Sequence, residues 1–69
     1  MQITDRPTAV AEVRALRDAG HNTALYSYSG RGRYVALDLD APIVEIVDAL
    51  DELGLDAEAA EDEALRLVR

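Results

Sequence analysis

Residues 24–39, ALYSYSGRGRYVALDL, restrict the fold more than any other stretch of this 69-residue chain. On both sides of Gly30-Arg31-Gly32 the side chains alternate, which is the period of a strand with one face buried. The glycines can adopt the positive φ that a tight reversal needs. The pattern predicts an antiparallel hairpin with strands at about residues 22–29 and 33–39. Tyr26 and Tyr28 then share a face with Val35, Leu37 and Leu39, whereas Leu25, Tyr34 and Ala36 share the other. A turn centred on Gly30-Arg31 sets Tyr28 opposite Arg33. A turn centred on Arg31-Gly32 sets it opposite Val35. The two registers differ by two residues, so the division into faces is the same in both.

A hairpin alone is marginal in water and needs helices to cover it. The chain offers three. The first, about 7–19, starts at Asp5 or Thr8, with Pro7 suited to its first turn and Gly20 to its end. Val10, Val13 and Leu16, with Ala9 and Ala19 beside them, form its narrow apolar stripe. The second, about 41–53, has the strongest amphipathic pattern: Ile43, Ile46, Val47, Leu50 and Leu53 recur on one side, and Asp48, Asp51 and Glu52 lie outside. Asp40 is its expected cap and Gly54 its stop, with Leu55 folding back. The third, about 57–67, opens after Asp56 and turns Ala57, Ala60, Ala64 and Leu67 or Val68 inward. The expected fold is a small α+β, two-layer α-β-β-α-α domain over residues 1–69, its hairpin covered on one face by helices.

Charge divides the chain. Residues 1–33 hold five arginines against three acids; residues 34–69 hold two arginines against eleven acids, within a net charge of -7. The second half should repel nucleic acid and anionic membrane and attract basic partners. A chain without lysine and rich in alanine also suits a salty cytoplasm or biased codon usage, so acidity has two explanations. No cysteine is present, which rules out a disulfide framework and thiolate metal sites. No signal-like N-terminal run and no apolar span of roughly 20 residues stand out, so the expected location is cytoplasmic.

Chemistry is sparse. His21 is the only histidine, and its place behind Gly20 suits a helix end better than catalysis. An approach of His21 to Asp38 and Asp40 has no ligand motif behind it. The acids at 56, 58, 61, 62 and 63 lack the ligand series of a calcium loop, and Gly30-Arg31-Gly32 lacks the lysine and following helix of a P-loop. No catalytic residue, cofactor or metal is assigned, and the chain is expected not to be an enzyme. Leu25, Tyr34 and Ala36 are expected to form an uncovered apolar patch, with Arg31 and Arg33 at its rim and Asp48, Asp51 and Glu52 as a separate acidic surface. These features suggest a small regulatory protein that occupies a partner protein's surface, such as an antitoxin-like binder, a viral or mobile-element inhibitor, or an assembly subunit. Pairing of open hairpin edges suggests a homodimer. The alternative is a nucleic-acid-binding module built on Arg31, Arg33 and Tyr34.

Overall fold

A computed structural model describes residues 3–28 and 32–69. In chain order it contains helix α1 (Arg6–Asp18), strands β1 (Thr23–Ser27) and β2 (Tyr34–Asp38), and helices α2 (Ile43–Leu53) and α3 (Ala57–Leu67). The α-β-β-α-α order read from the sequence is the order found, with an antiparallel hairpin packed against helices.

Local chemistry explains where each helix begins and ends. The extended Asp5 caps α1: the Thr8 N–H donates to Asp5 Oδ1 at 2.9 Å, and hydrogen bonding from the Thr8 side chain, then from this N–H, holds the Asp5 carboxyl below its ordinary pKa. Two bonds close the other end. Gly20 N–H donates to the Arg17 carbonyl and His21 N–H to the Leu16 carbonyl, both at 2.9 Å, with Gly20 at φ +91°. Helix α2 ends by the same device, Gly54 N–H reaching the Asp51 carbonyl and Leu55 N–H the Leu50 carbonyl. Leu55 then turns into the core, leaving 6% of its surface exposed. Helix α3 starts where Asp56 Oδ1 accepts from the Ala59 N–H.

The start of α2 departs from expectation. Asp40 does not cap it: the Asp40 N–H donates to Asp38 Oδ1 at 3.0 Å in a turn just after β2. Pro42 takes the cap position with no side-chain bond, so the helix begins at Ile43. Ile43, expected in the core, is 41% exposed. It shares the side occupied by Ile46, Leu50 and Leu53, which are at most 1% exposed, but it stands in the first turn of the helix, where that side is no longer covered.

The sheet pairs Tyr26 with Val35 and Ser27 with Tyr34, which places Tyr28 opposite Arg33 and selects the first of the two registers. The turn itself, at Ser29, Gly30 and Arg31, lies outside the described residues. Tyr34 directs both backbone groups away from β1, exchanging two bonds of 2.8 Å with Thr4, so one further rung extends the sheet beyond β2.

Both faces of the hairpin carry helices, where coverage of one was expected. On one face Val35 and Leu37 join Ile46, Leu50, Leu53, Ala60 and Ala64 in a single core, with Tyr26 packed at its edge. On the other, α1 runs against both strands, burying Ala9 and Val13 with Ala36 and Thr23. The physical reason is the fold-back imposed at Gly20. A helix joined to β1 by the short Ala19–Asn22 connection must lie against the sheet, and α2 and α3 already fill the opposite face.

Candidate interaction surface

Coverage by α1 removes the apolar patch expected on the outer face. Ala36 is 3% exposed, and Leu25 and Tyr34 are half-buried beneath or beside α1. These three residues are brought together, but as part of the packing. Arg33 is also committed: its Nη2 donates to the Glu52 backbone carbonyl at 2.9 Å, placing a cation at the C-terminal end of α2, where the helix dipole favours one. Arg31 falls outside the described residues.

The acidic residues behave as predicted from their helical spacing. Asp48, Asp51 and Glu52 are all exposed on α2. Glu45, Asp48 and Glu52, with the largely buried Ala49 as floor, line an open groove of about 300 Å³. No lysine or arginine occurs between residues 34 and 66 in the sequence to neutralise this helix locally. Among the described residues, no cluster of His, Asp or Glu side chains is arranged to hold a metal ion.

Sequence reasoning missed the apolar part of the same surface. Val44 is 61% exposed, the most exposed large apolar side chain among the described residues. It lies one and two turns from Asp48 and Asp51, so all three share a side of α2 that points away from the core. Leu65 on α3 and Val68, which caps its end, are 43% and 42% exposed and follow Glu61 at the same helical spacing. The three-residue link Gly54–Asp56 folds α2 and α3 into an antiparallel pair, which brings the start of α2 beside the end of α3. Exposed apolar residues thus stand at the start of α2, at Ile43 and Val44, and at the end of α3, at Leu65 and Val68. Exposed acids follow along both helices, at Glu45, Asp48, Asp51 and Glu52 on α2 and at Glu58, Glu61 and Asp62 on α3. The signal for Val44 was present in the sequence: a valine on the helical wheel between two aspartates has no inward role.

Two further polar features complete the geometry. Glu63 on α3 pairs with Arg66 one turn later and faces Tyr26 at the β1 edge. Partial burial, aided by the Glu63 carboxylate, pushes the Tyr26 hydroxyl above its ordinary pKa, with Arg66 acting the other way. Tyr28, expected in the core, is 42% exposed and lies against Gly54, because β1 ends before it. His21 is exposed, and its backbone N–H serves the end of α1.

No family model, curated protein or solved structure matches this chain. No helix among the described residues is long and apolar enough to cross a membrane.

Proposed function

We propose that this protein is a small cytoplasmic regulator that acts by binding a partner protein and carries out no reaction of its own. The observation that carries this reading is the exposed Val44 on the acid-lined outer side of α2. A side chain that could lower the free energy by burial is instead held in water by a helix whose core side is already complete. Charged residues around an apolar centre are the anatomy of a protein interface, in which the rim orients and the centre stabilises. Inhibitors of viral or mobile-element origin, antitoxin-like binders and assembly subunits all work in this way. A homodimer remains one form the interaction could take.

The nucleic-acid alternative draws less support. Arg33 is bonded to the end of α2, Tyr34 is half-buried, and eleven carboxylates occupy residues 34–69. A phosphate backbone would meet repulsion from the carboxylates of this half.

The test is stoichiometric capture from a native extract with the wild-type chain and with Val44→Ser/Asp48→Asn, alongside titration of labelled single- and double-stranded oligonucleotides near physiological salt. One protein retained by the wild type and lost by the variant is the expected result. Micromolar oligonucleotide binding with no protein retained would replace this reading by the nucleic-acid one.

A further inference from the structure

The two outer edges of the hairpin differ. On β2, Tyr34 turns its backbone N–H and C=O away from β1 and exchanges both bonds with Thr4. Bonding alternates along an antiparallel pair, so Ser27, opposite Tyr34, also turns its groups outward, as do Leu25 and Thr23. The bond from the Leu39 N–H to the Asn22 carbonyl fixes the same phase from the other end of the hairpin. The Thr23 carbonyl is taken by Arg17 Nε at 2.9 Å. Leu25 and Ser27 keep their outward groups, because β2 is the only strand beside β1 among the described residues. The strand itself, TALYS, carries no charge, proline or bulge, the devices that ordinarily protect an edge. We infer that β1 pairs antiparallel with β1 of a second copy about a two-fold axis at Tyr26, which joins the two hairpins into one continuous sheet. This edge is separate from the Val44 surface on α2, so the two readings stand or fall apart.

The free groups select the register. With the axis at Tyr26, Leu25 of each copy lies opposite Ser27 of the other, and each pair exchanges N–H and C=O in both directions. An axis at Leu25 would need the Thr23 carbonyl, which Arg17 already holds. Side chains select a second copy over an unrelated strand. Tyr28, 42% exposed, comes opposite Ala24, whose small side chain leaves room for the ring. A two-fold axis through an antiparallel pair keeps α3 of both copies on one side of the sheet. Glu63 and Arg66 both lie close enough to Tyr26 to act on its hydroxyl, so the axis sets this acid and base against the same two in reverse order. Glu63 of one copy then meets Arg66 of the other. The net charge of -7 per copy opposes approach from a distance, and salt screens that repulsion, so the pairing should tighten as ionic strength rises. The exposed Arg6, Arg14 and Arg17 of α1 offer a competing contact with the acids of α2 and α3 in a second copy, and that contact would weaken with salt.

Sedimentation equilibrium of the full chain from micromolar to millimolar concentration, at low and high salt, measures the association. A dimer that tightens with salt is expected. Ser27→Pro removes an outward N–H without touching the β2 ladder and should weaken the dimer roughly tenfold. Its circular dichroism and melting at monomeric dilution check that the fold survives. Glu63→Arg should weaken the dimer as well, and Glu63→Arg/Arg66→Glu should restore it. The chain has no cysteine, so Tyr26→Cys reports the register directly. Across such a non-hydrogen-bonded site the Cα atoms lie about 4.5 Å apart, within the reach of a disulfide. With oxidised glutathione that variant should form a covalent dimer, and Asp48→Cys should not. A monomer throughout overturns the inference, and so does a dimer that weakens with salt, which assigns association to the α1 arginines. A dimer in which Tyr26→Cys stays unlinked overturns it too. A monomer whose Ser27→Pro variant loses a protein that the wild type captures from extract also overturns it and gives the edge to a strand of that protein. None of these results touches the Val44 surface, whose own variant tests it.

Discussion

The two faces of the hairpin are covered by different means. Beneath α2 and α3, branched aliphatic side chains interlock: Val35 and Leu37 from the sheet meet Ile46, Leu50 and Leu53, all at most 1% exposed. Beneath α1 the buried residues are small, Ala9 and Ala36, with Val13 and Thr23 beside them. Burial free energy follows apolar area, so the first interface carries most of the stabilisation and the second permits a close approach of helix to strand. A close approach also has little tolerance for added volume. The α1 face further contains a buried Thr23 hydroxyl without a hydrogen-bond partner, although the Thr23 carbonyl accepts from Arg17 Nε at 2.9 Å. One face is strong through size, the other narrow through smallness.

The largest expected effect lies on the aliphatic side. Leu50→Ala removes a fully buried side chain and should cost about 2–5 kcal/mol in urea unfolding. An unchanged midpoint would mean that α2 does not anchor the core. On the α1 side, enlargement should matter more than truncation. Ala36→Leu should cost about 1–3 kcal/mol through overpacking against α1, seen as a lower melting temperature and faster amide exchange in α1. Full tolerance of leucine at residue 36 would show that α1 sits loosely enough to move aside.

Thr23→Val should act in the opposite direction. It keeps the shape, removes the unpaired hydroxyl and should stabilise by about 1 kcal/mol. A loss of stability in the same melt would show that the hydroxyl has a partner in solution. The smallest effects concern pH. The lowered pKa of Asp5 means its contribution to α1 is present above the ordinary carboxylate value and fades as pH falls through the folded value. The raised pKa of Tyr26 works the other way on the α3 side: that contribution is complete below pH 10.0 and fades as pH rises through the folded value. Asp5→Asn should therefore reduce the acid dependence of stability and Tyr26→Phe the alkaline dependence. Exchange of those two outcomes would break the comparison.

Much of this architecture was legible because its signals are local. Glycine at positive φ, a carboxylate ahead of a helix and alternation around a turn need only their neighbours to act, and Gly20, Gly54, Asp5 and Asp56 stand where such reasoning places them. Where two local solutions competed, prediction failed: the carboxylate of Asp38 binds the Asp40 backbone, so Asp40 is a turn residue and not a cap. The acidic side of α2 was legible from periodicity, whereas Ile43 was assigned inward because spacing alone does not say where a helix runs off its sheet.

Sequence by itself determined the α-β-β-α-α order, the division of the strands into two faces, the helix stops and the separation of charge, since each follows from backbone chemistry or from side-chain period. Tertiary structure decided which helix covers which face. It turned Leu25, Tyr34 and Ala36 from an open patch into packing under α1, tied Arg33 to the end of α2, and left Val44, Leu65 and Val68 in water. Those outcomes depend on how rigid elements pack once short links have joined them, and that arrangement is a property of the whole chain, which no local spacing encodes.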